Sequence, residues 1–154
     1  MKLIFTKISP THHTLCVCRE GLKDDIQNCE TRSLMPHDLI HFAYEKTVWL
    51  KNSFWGLLSQ WYNIEHFPDE LVSESSELYR TEMIVGPLTW YLMKEVSEAQ
   101  VISYIQNACD AYGIEVPQHI TTETLKLIKI EYERLWWEWR SLPWNQEMIL
   151  TRNE

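Results

Sequence analysis

The sequence predicts an α+β domain, an N-terminal three-stranded antiparallel meander packed on a helical bundle of four to five helices. Three observations carry that reading. Segments with period-2, β-branched character fill the first 33 residues and stop before Pro36. Beyond Pro36, helix caps and apolar stripes at 3.6-residue spacing take over. The connections between the first segments are too short for the crossovers that parallel strands need. A chain of 154 residues is long enough to bury a core without staples, so one domain is expected over 1–154. Its meander would occupy 1–33 and its helical part 34–154.

KLIFTKI (2–8) reads as the first strand and ends at the Ser9-Pro10 turn. TLCVCR (14–19) reads as the second, which leaves His12 and His13 in the loop before it. Glu20-Gly21 turns the chain into a weaker third strand around Asp25 to Thr31. On the second strand Cys16 and Cys18 share one face, with Leu15 and Val17 on the other. Cys29 from a neighbouring strand would extend the two thiols into a cluster. Because no CxxC pair exists, that metal or redox reading competes with ordinary reduced cysteines.

Pro36 suits the first turn of a helix that runs to about Val48. Asn52 or Ser53 caps a second helix, FWGLLSQWY, ending near Asn63. Residues 64–76 mix Pro, Ser and acids and read as a loop or a short helical turn. Helical pattern resumes from Glu77 to Glu95, where Gly86-Pro87 is expected to kink or split the helix. Ser97 and Gln100 form a capping box for a helix with Val101, Ile105, Ala108 and Tyr112 as its stripe and Gly113 as its stop. Thr121 or Thr122 starts the last long helix, through about Arg140, with Leu125, Ile128, Tyr132, Leu135 and Trp139 facing inward. The tail from Ser141 to Leu150 is expected to pack back on the body. Trp136, Trp137 and Trp139 span more than one face of that last helix, so at least one should line a pocket or interface while Trp139 belongs to the core.

Composition narrows the function classes. Fourteen Lys and Arg against 22 Asp and Glu give a formal charge of −8, and no basic run is present. A nucleic-acid backbone and an anionic membrane surface are thus poor partners, and a small molecule or a protein is the expected one. No apolar run approaches the roughly 20 residues of a membrane span, and MKLIFTKISP turns polar too early for a signal peptide. The expected location is cytoplasmic. With four glycines and no phosphate-cradling loop, and with no serine or cysteine in a nucleophile elbow, the common nucleotide and acyl-transfer sites are missing.

The stretch TRSLMPHDLIHFAYEKT (31–47) is where chemistry concentrates. On a helix at about 100° per residue, His41 lies about 40°, Glu45 about 80° and Asp38 about 100° from His37. Leu39, Ile40 and Ala43 fall on the opposite arc. His37 and His41, one turn apart, offer two nitrogen ligands to one ion. HDLIH mimics the zinc-protease HExxH with Asp for Glu, but the shorter carboxylate would not reach a metal-bound water easily. A third ligand must come from elsewhere: Glu82, beside the apolar run Met83-Ile84-Val85, or Glu45, His66, His12 or His13. Arg32 either clamps an anionic ligand or pairs with Asp38 or Glu45.

ETRSLMPHDLIHFAYE, followed by FWGLLSQ, TEMIVGPL and LWWEWRSLPWNQEMIL, resembles a family of small uncharacterised bacterial proteins. The likeness covers most of the chain. Its pattern joins Glu-Thr-Arg-Ser to a His-Asp-Leu-x-His-(x)3-Glu helix, then a [FY]-[WY]-Gly-Leu-[LV] stretch and a Trp-Arg-x-x-Pro-[FW] close. Matching positions are Arg32, His37, Asp38, His41, Glu45, Gly56, Glu82, Gly86, Trp139 and Arg140, and the chain departs from it in its extra Trp136 and Trp137. The resemblance implies the β-meander and the histidine helix but brings no activity with it.

Two functions from different classes stand open. In one, His37, His41 and Glu82 hold a zinc-, nickel- or iron-type divalent ion in a metal-dependent hydrolase, with Glu45 or Asp38 as base or as orienter of a ligand. The His37-Asp38 doublet also resembles HD-type phosphohydrolases, though the meander does not fit their all-helical fold. In the other, the protein is a non-catalytic binding or interaction module, and the His and acid cluster only ties the helix to its neighbours.

Overall fold

Alternating burial shapes the sheet. In β1 (Lys2–Lys7) Leu3 and Phe5 point inward, and in β2 (His12–Cys18) so do His13, Leu15 and Val17. β3 (Asp25–Glu30) adds Cys29 to that inner face. The structure is a computed structural model and describes residues 1–64, 66–94 and 96–152. β1 pairs with β2 and β2 with β3, all antiparallel, with Gly21 at φ +76° in the connection between β2 and β3.

Two features of this region differ from expectation. His12 and His13 belong to β2 and not to a loop, since their partners Glu30 and Cys29 extend the ladder. Cys29 lies on the inner face, opposite the side that carries Cys16 and Cys18, so the three thiols form no cluster. A larger correction comes from the C-terminus. Residues Glu147–Thr151 form a further strand, β4, antiparallel to β1, so the sheet has four strands in the order β3-β2-β1-β4. Asn145, in the left-handed region at φ 60°, turns the chain into it, and Met148 and Leu150 complete the inner face. The part after residue 34 is therefore not wholly helical.

Among the described residues there are five helices, α1 (Leu34–Thr47), α2 (Phe54–Ser59), α3 (Glu77–Met93), α4 (Glu98–Ala111) and α5 (Thr122–Ser141). A 3-10 turn, Asp69–Leu71, lies in the loop before α3. The capping box of Ser97 and Gln100 and the Thr121 cap form as expected. The whole predicted stripe of α5 is buried. In α4 the stripe is Val101, Ile105 and Cys109, with Tyr112 exposed beyond the helix end, because Gly113 at φ +65° turns the chain away there. α2 is shorter than expected and ends at Ser59.

α3 is not split at Gly86-Pro87 and continues to Met93; its expected end at Glu95 lies outside the described residues. Proline removes one backbone bond there, while Ile84, Val85, Leu88 and Tyr91 hold both sides of the break in the core. Each such fully buried aliphatic side chain contributes roughly 1.5–3 kcal/mol, enough to offset that loss. No helix among the described residues is long and apolar enough to cross a membrane.

α1 is the central element. It packs on α5, α3, α2 and β3, and from Leu39 to Glu45 every residue is buried. The arc that bears His41 and Glu45 is thus enclosed by neighbours, and it is not a solvated face.

Candidate metal centre

α1 presents His37 and His41 in consecutive turns, their ring centroids 4.6 Å apart. α3 lies alongside and brings Glu82 to both. Glu82 Oε1 is 3.2 Å from His41 Nε2, and Glu82 Oε2 is 3.8 Å from His37 Nε2. One ligand atom from each of the three side chains lies within 4.8 Å of the others, a group that could hold a metal ion. The site has a closed wall and an open mouth: the His41 side chain is 2% exposed, against 45% for His37 and 44% for Glu82.

The wall is organised by Glu45. Its Oε1 accepts from His41 Nδ1 at 3.2 Å. Its Oε2 accepts from the Ser53 hydroxyl, from the Trp55 amide at 2.9 Å and from the Gly56 amide at 3.3 Å, with Arg152 Nη1 3.5 Å away. The fully buried carboxylate therefore caps the first turn of α2, a task the Ser53 side chain gives up in order to donate to Glu45. Gly56 permits the close fit. A Cβ there would meet the Lys51 carbonyl oxygen at 2.3 Å.

Because Nδ1–H donates to Glu45, the neutral His41 ring carries its lone pair on Nε2, the atom turned toward His37 and Glu82. Nε2 is buried and, although close to Glu82, makes no hydrogen bond among the described residues; the approach lacks the required direction. Burial alone would lower the His41 pKa, but the Glu45 hydrogen bond and the charges of Glu45 and Glu82 outweigh it and raise the ring to about 9. In turn, although burial works to raise it, the neighbouring histidines hold the Glu82 carboxyl below its ordinary value. Without a metal, the resting state at neutral pH is an imidazolium gripped between two carboxylates.

The other expected residues are placed as follows. Asp38, mostly covered, has Oδ1 3.8 Å from His37 Nδ1, next to the ring and behind its ligand nitrogen. Glu45 lies behind His41 with no path to solvent, so of the two roles expected for it, base or orienter, its position suits the second. Arg32 is exposed, and its amide donates to Glu30 Oε1, part of a turn in which Glu30 also accepts from the Ser33 amide and hydroxyl. The cation that meets Glu45 is Arg152, not Arg32. His12 and His13 lie in β2, away from the site; the buried His13 packs edge-on against Trp139 at 5.6 Å and bonds Thr31. His66 pairs with Asn63 in a local bridge.

Ser53 was legible as the α2 N-cap, but its bond to Glu45, the α2 amides and Arg152 escaped the sequence reading. Arg152 had no legible signal, since only the β1–β4 pairing carries the tail back under α1. Comparison with known protein families, with curated proteins and with solved structures yields no match to this chain.

Proposed function

We propose that the protein binds a divalent transition-metal ion through His37, His41 and Glu82 and uses it as a metal-dependent hydrolase. The observation that carries this reading is the convergence of one ligand atom each from His37, His41 and Glu82 within 4.8 Å, with His41 Nε2 buried and turned toward the other two. A metal bond would take the place of the proton and ion pair that hold His41 Nε2 to Glu82 in the metal-free protein. Two imidazoles and one carboxylate suit zinc, nickel or ferrous iron over magnesium or calcium, which prefer oxygen shells. Three protein ligands leave a tetrahedral ion one position for water, the pattern of a catalytic centre. The ion would supply an activated water at the open mouth between His37 and Glu82. Glu45 orients His41, and Asp38, beside His37 Nδ1 and behind its ligand nitrogen, would orient His37 in the same way. The residues shared with the bacterial family pattern would then describe this centre and its support.

Zinc titration of tag-free protein against His37→Ala and His41→Ala tests the proposal. Wild type should bind one equivalent and gain thermal stability, and each variant should lose both. A second reading, the non-catalytic interaction module, draws support from the charge balance of the metal-free cluster, where His41 pairs with Glu45 and Glu82. It predicts that all three proteins bind zinc equally weakly and melt at temperatures that zinc leaves unchanged.

A further inference from the structure

The solvent face of the sheet carries a different donor set. Cys16 and Cys18 project from alternate positions of β2 on the side away from the helices, both half-buried, with their sulfurs 3.3 Å apart. Asp24 immediately precedes β3, the neighbouring strand, and one ligand atom from each of the three lies within 4.8 Å of the others. Lys2 of β1 is the register partner of Cys18 on the opposite flank. The two other cysteines, Cys29 and Cys109, are buried elsewhere.

We propose that Cys16, Cys18 and Asp24 form a second, thiolate-based binding site for a thiophilic d10 ion such as zinc or cadmium. Thiolates select such ions over magnesium, calcium or manganese. With metal–sulfur bonds of about 2.3 Å, two thiolates of one tetrahedral ion sit roughly 3.8 Å apart, so the pair needs to open by only about half an ångström. Two thiolates and a carboxylate against a divalent ion leave one negative charge, which Lys2 is placed to balance. Water fills the fourth position on this open face. The site differs from the histidine centre in donor type and lies on another surface, so each can fail without the other.

The probe is cadmium, added to reduced, tag-free full-length protein while sulfur-to-metal charge-transfer absorption is followed in the ultraviolet. The band should saturate at one equivalent, persist in His41→Ala, and vanish in both Cys16→Ser and Cys18→Ser. Asp24→Asn should weaken binding without abolishing the band, because it removes one ligand charge and leaves both thiolates. Because these side chains sit on the solvent face, the variants should keep the wild-type melting temperature, which separates lost ligands from lost fold. Absence of the band at stoichiometric cadmium would overturn the proposal. So would a band that survives Cys16→Ser, which places the ion at Cys29 or Cys109, or one saturating at half an equivalent, which bridges two copies.

Discussion

His41 Nδ1 stands 3.2 Å from Glu45 Oε1, one turn along α1, with both side chains sealed from solvent. The same carboxylate reaches the α2 amides and Arg152, so a single residue aims the imidazole and fastens helix to helix and tail. Glu45→Gln keeps the shape but leaves Arg152 and His41 facing a neutral amide. Breaking a buried charge network of this kind destabilises by about 3–5 kcal/mol. Glu82→Gln, at the open mouth, should cost no more than about 1 kcal/mol. Denaturant melts of the metal-free proteins check the ranking, and equal losses would mean that Glu45 does not organise the wall.

Gly56 and Gly86 should respond differently to the same substitution. Gly56→Ala drives a methyl group into the Lys51 and Leu50 backbone, where contacts of 2.3, 2.6 and 2.9 Å leave no room. Overpacking against backbone should destabilise by roughly 1–3 kcal/mol and loosen the Glu45 cap as well. At Gly86, on α3, a Cβ meets nothing within 4 Å beyond its own helix and chain neighbours. The Pro87 ring, however, disfavours a helical residue with a Cβ before it, so Gly86→Ala should gain less than the roughly 1 kcal/mol of helix propensity. Thermal melts of the two variants suffice, and a loss in Gly86→Ala as large as that in Gly56→Ala would overturn the distinction.

Trp49 and Trp61 stand where helices favour glycine. Each follows a helix end in the left-handed region, φ 57° and 85°, and each is followed by an amide that bonds back five residues, Leu50 to Glu45 and Tyr62 to Leu57. Such a conformation is unfavourable for a side-chain-bearing residue by roughly 1–2 kcal/mol, and the two indoles are 68% and 66% exposed. Trp49→Gly and Trp61→Gly should therefore raise stability by about 0.5–1 kcal/mol each, after the entropy that glycine adds to the unfolded chain. A loss above about 1 kcal/mol would show that the indoles stabilise the fold by packing.

Legibility followed the range of the interaction. The alternation of Leu15 and Val17 against Cys16 and Cys18, the five-residue stripe of α5 and the Ser97 cap are local patterns, and each could be read directly. The wheel placed His37 and His41 on a common arc, and Glu82 could be picked out as a carboxylate bordering an apolar run. What a wheel cannot supply is the neighbour on the far side. The enclosure of Glu45, its Ser53 and Arg152 partners and the pairing of β4 with β1 all join residues distant in sequence. EMILT alternates like a strand, yet five residues after a proline-bearing tail become one only because the β1 edge is open to pair.

The pH response separates this centre from two histidines of ordinary acidity. Composition alone suggests that metal binding weakens below about 6.5, the value of an unperturbed ring. In the folded chain the His41 pKa is raised to about 9, so a proton competes with the metal across the whole neutral range. Zinc affinity should rise about tenfold per pH unit up to about 9, with close to one proton released per ion from His41. The sign for the metal-free protein is the reverse. A group whose folded pKa lies above its unfolded value stabilises fully below about 6.5, and that contribution is lost as pH climbs through about 9. The loss is of order 3 kcal/mol, and His41→Gln should remove the pH dependence along with it. Paired melts at pH 6.5 and 9, with and without zinc, read both slopes: metal-free stability should fall while the zinc-induced gain grows. An affinity that levels off near pH 7 would mean that Glu45 and Glu82 do not hold a proton on His41.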